Sequence, residues 1–376
     1  MKVMHVIARF NVGGTATWLF NLSTQLELHG HESVLVVGNV PANEIQDSRL
    51  NSIKFRRIET FHKDFNILLD LQTLYKLVRI IRIENPDIVN THTAKAGLIG
   101  RVAVLLQGQK KPALVHTIHG HLLYGYFSRF KVGLIVIIER FLAHFTDMIL
   151  FAGRQVMSDC LTRRIGTPEK SIAVRPGVKA PELISREAAE KSLQIENTLR
   201  ADRLRVGWLG RLAPIKRPDR VIALAKRIPG VDFIIGGDGE LRAEIAEEVP
   251  PNCYLVGFVS PDIFWSVCDL ALLTSDNEAI PISLIEASMV GIPAIATNVG
   301  GVPEIVLDDQ NGYCLGYDED LFVKKIETLV SNESLRKRMS VFSKEFSQNN
   351  FSLANLYHEH IQAYKKALDI RGVDNS

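Results

Sequence analysis

Residues 277–286, N-E-A-I-P-I-S-L-I-E, carry two carboxylates, Glu278 and Glu286, with seven residues between them. The apolar run at 270–273 empties into Thr274, Ser275 and Asp276, which predicts a buried strand ending in a polar loop that contains Glu278. Pro281 suits the first helical position, where its fixed φ is pre-set and its missing N–H has no partner to lose. Glu286 then falls about a turn and a half further on. Main-chain N–H groups at such a start, those of Ile282 and Ser283, favour an anion, most simply a phosphate. The flanking carboxylates are acceptors for hydroxyl groups. A ligand offering hydroxyls, then phosphate, then hydroxyls is a nucleotide sugar. The plain alternative is a solvated loop Glu followed by a helix-surface Glu.

Three other groups could do chemistry. Gly210-Arg211-Leu212 followed by Ile215-Lys216-Arg217-Pro218 puts two cations past a strand end. A guanidinium can grip a phosphate through two parallel bonds and an ammonium adds a compact charge, although the same residues are unremarkable on a surface. His116, His119 and His121 are close in sequence, but strand alternation would not turn all three to one side and no Cys or carboxylate is near, so a metal site is not expected. Strand ends are where open α/β sheets hold their ligands, and both His119 and His92 fall at such ends. His92 is a candidate for the acceptor side, with a packed structural histidine as the alternative. Gly13, Gly14 and Thr15 follow the first strand candidate, but Gly13-Gly14 is not a full G-x-G-x-x-G fingerprint and also suits a ligand-free tight turn.

The elements that must position these residues alternate between strand and helix along the chain, the pattern of parallel α/β sheets. With 376 residues, two domains are expected. Arg175-Pro176-Gly177-Val178 breaks the pattern, so the division is drawn as 1–177 and 178–349, with residues 181–203 as a polar lead-in. The chain is 46% hydrophobic and 23% charged, an ordinary globular composition. Its four cysteines, Cys160, Cys253, Cys268 and Cys314, are too scattered for a C-x-x-C site, which points to a reducing cytoplasm. The N-terminal run M-K-V-M-H-V-I-A is too short for a signal peptide's apolar core and reads as a first strand.

Net charge is +2, but residues 1–170 carry 21 Lys and Arg against 13 Asp and Glu, a net of +8 that leaves −6 for the rest. No aromatic-basic motif for nucleic acid accompanies the basic half, so nucleic acid is not an expected partner and an anionic membrane surface fits better, with a chance scatter of solvated charges as the equal alternative. In residues 122–131, Tyr124, Tyr126, Phe127 and Phe130 lie beside Arg129 and Lys131, between Leu122 and the next helix, and suit a membrane interface. The apolar run 132–138 is too short to span a bilayer, and packing in the core explains the helix 132–142 equally well.

The pair Glu278 and Glu286, followed by G-I-P-A-I-A-T-N-V-G-G-V-P-E-I-V from Gly291 to Val306, resembles the signature of glycosyltransferase family 4. The resemblance implies the GT-B fold, an α/β architecture of two doubly wound Rossmann-like domains facing across a cleft, with a terminal helix (350–370) packing back on the first. It implies a retaining hexosyltransferase that needs no metal or cofactor and uses a nucleoside diphosphate sugar, with UDP expected. By the same resemblance Glu278 binds the donor sugar, Glu286 the ribose, and Arg211 and Lys216 clamp the diphosphate. Gly13 and Gly14 face the diphosphate or the acceptor, with Thr15 on the acceptor side, and His119 contacts the sugar or takes part in catalysis. Phe258, in L-V-G-F-V, falls where the family holds the base; Gly237, in the glycine turn 237–240 that lets a ligand or another backbone approach closely, is a further donor-side candidate. Ala279, Ile280, Pro281 and Ile282 complete the donor loop, where Ala279 replaces a glycine common in the family. Thr297, Gly300 and Gly301 are expected to shape the pocket. The implied acceptor is a carbohydrate or lipid-linked hydroxyl. A nucleotide-sugar 2-epimerase and a non-catalytic sugar-nucleotide-binding subunit are the rival readings; a dehydrogenase lacks its fingerprint.

Overall fold

Most strands are short and buried along their length on both faces, as parallel strands covered on both sides are, even where they carry a polar residue such as His5 or Asn90. The computed structural model describes residues 1–42, 44–108, 111–120, 129–196, 199–200 and 202–372. The chain divides into two units, residues 1–178 with 353–376, and residues 179–352.

The first unit contains β1 (Lys2–Ile7), β2 (Glu32–Val37), β3 (Phe55–Arg57), β4 (Ile88–His92), β5 (Ala113–Ile118), β6 (Met148–Ala152) and β7 (Ser171–Val174), in the spatial order β3-β2-β1-β4-β5-β6-β7. Every pair is parallel. Period-two alternation sends neighbouring residues to opposite faces. Val6, Val36 and Val89 pack with Leu77, Ile81 and Ile99 from the helices Ile67–Glu84 and Ala94–Leu105, whereas Ile7, Leu35 and Val37 pack with Leu19 from the helix Gly14–Leu28. Both faces are therefore covered. Strand order reverses at β1 and β4, and a crevice opens at the carboxyl ends of strands at such a switch point.

The second unit repeats the arrangement with β8 (Arg205–Leu209), β9 (Asp232–Gly236), β10 (Cys253–Gly257), β11 (Leu270–Leu273), β12 (Ala294–Thr297) and β13 (Gly312–Leu315), in the order β10-β9-β8-β11-β12-β13. Its switch point lies between β8 and β11. Val206, Trp208, Phe233, Leu270, Leu272 and Ile295 form the core of one face with Val221 and Leu224 of the helix Pro218–Arg227 and Phe322 and Ile326 of the helix Glu319–Ser331. These two sheets constitute the GT-B fold.

After the second unit, the helix Leu353–Arg371 belongs to the first. Its Glu359 accepts from the Arg175 main-chain N–H at 2.7 Å and Nε at 2.9 Å, and its Tyr364 hydroxyl accepts from Asn90 Nδ2 at 2.8 Å. Two local readings are corrected. Pro281 is the residue before its helix, with φ −72° and ψ 116°, because the turn from the Glu278 loop holds its ψ extended. The helix Arg129–Phe145 is only half core: Val132, Val136 and Leu142 are buried, but Phe130, Leu134, Ile137 and Phe141 are 83, 52, 63 and 64% exposed along its other side.

Candidate active site

In the second unit the switch point brings together the loops after β8 and β11. Past β8, Leu212 N–H bonds to Asp238 O at 3.0 Å and Leu241 N–H bonds back to Leu212 O at 3.0 Å, so the 210–213 loop is stitched to the glycine turn after β9. Gly237 holds φ +121°, and a Cβ there would stand 1.9 Å from Gly210 O, so only glycine permits the approach. A single 3₁₀ turn, Pro214–Lys216, then delivers Lys216. Thr274, just past β11, fixes that turn: its hydroxyl donates to Arg217 O at 2.9 Å and accepts from Trp208 Nε1 at 3.1 Å. Asp276 holds the neighbouring cations, with Arg220 Nη2 at 2.7 Å and its own N–H on Ile215 O at 2.9 Å.

These anchors set Lys216 Nζ 2.5 Å from Glu278 Oε1, which also accepts from the Ser275 hydroxyl at 2.7 Å. Glu278 is 8% exposed, so its charge sits in a largely desolvated place where a cationic partner matters. The main chain around it is held from β12: Thr297 Oγ1 donates to Ser275 O at 2.8 Å, Gly301 N–H donates to Ala279 O at 2.7 Å, and a Cβ on Gly300 would meet Glu278 O at 1.7 Å. Ile280 and Pro281 are buried, Ile282 and Ser283 are half-buried at the start of the helix Ile282–Met289, and Glu286 is half-buried one turn in. Arg211 is exposed and forms no ion pair with another described residue. Phe258 is exposed beyond β10 and, with Val256, Val259, Ser192 and Gln194, lines a cavity of about 400 Å³.

In the first unit the middle of β1, the last residue of β4 and the residue just past β5 bring histidines together. His5 Nδ1 lies 3.1 Å from His92 Nε2, and His92 Nδ1 lies 2.8 Å from His119 Nε2. Trp18 meets the His119 ring edge-on at 5.0 Å between centroids and donates Nε1–H to His360 Nε2 at 3.3 Å. Burial drives all of these imidazoles toward the neutral form: His5 and His119 are lowered to about 3, His360 to about 4, and His92 well below its usual value. Gly13 and Gly14 are exposed at the start of the helix Gly14–Leu28, and Thr15 is half-buried there.

The structure thus joins Lys216 to Glu278, and His92 to His119, pairings that no local sequence window contains. His121 lies outside the described residues, and His116 bonds to Thr91 instead, Nδ1 to Oγ1 at 2.8 Å. Among the described residues no three His, Cys, Asp or Glu side chains are arranged to hold a metal ion. Sequence reasoning placed Thr274, Ser275 and Asp276 in the polar loop without giving them a part in the site, and it missed His5. The available signal for His5 was a polar residue inside an otherwise apolar buried strand.

Residues 12–180 match the family model described as Glycosyltransferase Family 4, and residues 190–346 the one described as Glycosyl transferases group 1. The chain is 26% identical over 305 residues (76% of this chain, 77% of the relative) to the UDP-Gal:alpha-D-GlcNAc-diphosphoundecaprenol alpha-1,3-galactosyltransferase of Escherichia coli. It is 25% identical over 315 residues (79% and 81%) to the capsular polysaccharide biosynthesis glycosyltransferase CapM of Staphylococcus aureus. Among solved structures, its fold is like that of Anabaena Alr3699/HepE in complex with UDP and glucose, with a TM-score of 0.81 at 18% identity over 97% of this chain and 99% of that one.

Proposed function

The chain belongs to glycosyltransferase family 4, and from that premise we propose that it transfers a hexose, with retention of configuration and without a metal, from a UDP-sugar to a hydroxyl on a lipid-linked or polysaccharide acceptor. The observation that carries this reading is the Glu278 carboxylate, shared by Lys216 and Ser275 at the switch point of the second sheet. Both bonds fall on Oε1, which leaves Oε2 for a hydroxyl of the donor sugar. Lys216 has three N–H bonds, so it can keep Glu278 and still donate to a phosphate. Arg211, free of an ion pair among its described neighbours, and the N–H groups of Ile282 and Ser283 complete a cradle for the diphosphate. Glu286 serves the ribose, and Phe258 with Gly237 borders the base.

Negative charge grows on the departing phosphate, so fixed cations and dipoles there lower the barrier most. That phosphate oxygen takes the acceptor's proton as the hydroxyl attacks the face the diphosphate leaves. Two of the relatives named above carry UDP in their descriptions, the E. coli galactosyltransferase and the UDP-bound Anabaena protein, and they support uridine as the base. Incubating the purified chain with a panel of nucleotide sugars and a lipid-linked acceptor tests the reading: UDP release coupled to acceptor extension, unaffected by EDTA, is expected. Release that requires added metal would refute metal independence, and no release with any sugar would refute the function.

A membrane surface is the proposed location of the acceptor. Of the expected contact segment, residues 122–128 lie outside the described residues. The adjacent helix supports the idea, because its exposed side carries Phe130, Leu134, Ile137 and Phe141 together with Lys131 and Arg140, while its one acid, Glu139, is buried against Arg101 at 2.7 Å. Exposed apolar residues ringed by bases suit an anionic interface. No helix among the described residues is long and apolar enough to cross a bilayer. Flotation with phosphatidylglycerol vesicles should recover the wild type and not the Leu134→Glu/Phe141→Glu variant; equal recovery of both would remove this surface from the proposal.

A further inference from the structure

His5, His92 and His119 form an unbranched chain of hydrogen bonds whose two terminal atoms, His5 Nε2 and His119 Nδ1, are buried and have no hydrogen-bond partner among the described residues. A neutral imidazole has one N–H and one lone pair, so the proton on any ring fixes the proton on the next. If His92 carries hydrogen on Nδ1, His119 Nε2 must accept and its proton sits on Nδ1; His92 Nε2 is then a lone pair, and His5 must donate from Nδ1. The opposite choice moves all three protons to Nε2. Any mixture sets two N–H groups, or two lone pairs, against each other at 2.8 or 3.1 Å. The three rings therefore have two arrangements, not eight.

The ends decide between them. Each arrangement leaves one unpaired N–H at one end and one unpaired lone pair at the other, and a buried unpaired N–H is the harder to tolerate. His5 is fully buried in the middle of β1, whereas His119 is only half-buried just past the end of β5. His360 offers no relief to either: its Nδ1 serves Leu356 O at 2.8 Å and its Nε2 accepts from Trp18. The N–H is thus better placed on His119, which lies at the strand end where open α/β sheets hold their ligands, than on His5 inside the strand.

We propose that the three histidines act as one tautomeric unit with every proton on Nδ1, so that His5 and His92 are positioning residues that hold His119 Nδ1–H ready for a substrate oxygen, hydroxyl or phosphate, at the carboxyl edge of the first sheet. His119 is then a donor and not a general base, since its only other nitrogen is occupied by His92. Burial, which lowers His119 to about 3, keeps it uncharged throughout the neutral range. The proposal rests on the glycosyl-transfer reading only for the owner of that oxygen.

Two-bond ¹H–¹⁵N correlation spectra of the uniformly labelled full chain, assigned by single histidine substitutions, test the tautomers directly. All three rings should show the Nδ1–H pattern; an Nε2–H form or an imidazolium at any of them near pH 7 would overturn the proposal. The positioning role is tested by a pair of variants. His5→Asn keeps an N–H where Nδ1 stands, and His5→Leu removes it. We expect kcat/KM to fall about tenfold in His5→Leu, the equivalent of one hydrogen bond, with an Nε2–H fraction appearing on His119, and His5→Asn to recover most of the loss. A tautomer shift with unchanged kcat/KM, or no advantage of Asn over Leu, would remove the positioning role. A wild type inactive with every nucleotide sugar would instead sink the functional reading, while the spectra still judge the tautomers.

Discussion

All eleven histidines of the chain lie in the first unit, and the second has none. The two sites divide the same way. The second unit works with fixed charges, an ammonium and a carboxylate 2.5 Å apart, and carries an exposed guanidinium in the loop after β8. The first works with neutral rings whose information is the location of protons. A charged site suits the part of a substrate whose charge changes most during transfer, because preorganised cations act on the transition state more than on the ground state. A neutral, buried site suits selection of hydroxyl groups, since an unmatched polar atom there is expensive.

The contrast can be broken most readily at Arg211. Arg211→Ala should reduce turnover by about 10² to 10³, the scale for loss of one donor to a developing oxyanion, while acceptor affinity, read from product inhibition, stays close to wild type. Equal losses in both would show that Arg211 is not on the leaving group. The neutral half is sharpened by pH. Because the folded-state values of His5, His119 and His360 are depressed, the unfolded chain binds protons that the folded chain refuses once pH falls below the ordinary histidine value of about 6.5. Their contribution is therefore complete above 6.5 and is lost as pH drops toward 3 to 4, by about 1.4 kcal/mol per pH unit for each such ring. Denaturant midpoints recorded from pH 7.5 to 5 should fall, and the fall should shrink in His5→Asn. Glu84, lowered to about 2 by Lys2 and Arg56, adds stability that is complete above about 4.5 and is lost only in the more acidic window below it, so it does not enter the fall between pH 7.5 and 5. A flat profile above pH 5 would mean that the rings are hydrated. The smallest expected effect is at Ser275, where Ser275→Ala removes one bond to Glu278 and should weaken UDP-sugar affinity about fivefold, near 1 kcal/mol, measurable by titration calorimetry; no change would mean that Lys216 alone orients the carboxylate.

How much of this was visible in the residues alone follows physical range. The strand 270–273 and the glutamate spacing were legible because apolar runs and turn residues act locally. Lys216 and Glu278 were each singled out, but not as partners, because 62 residues separate them and only the sheet order makes them neighbours. His5 lies 87 residues from His92 and escaped for the same reason. The helix Arg129–Phe145 shows the other limit: periodicity reveals two apolar sides without saying which one the sheet covers. Pro281 was misplaced by one residue, since cap positions depend on ψ, which composition does not determine.

The helix Leu353–Arg371 also has a meaning for biosynthesis. Trp18 waits for His360 and Asn90 for Tyr364, partners that leave the ribosome only after residues 179–352 have been translated. A growing chain would ordinarily settle its earlier half first. Here that half keeps an uncovered flank until the intervening portion has been made, so a nascent polypeptide stalled before Leu353 should expose Trp18 to chaperones and proteases, and the completed chain should not.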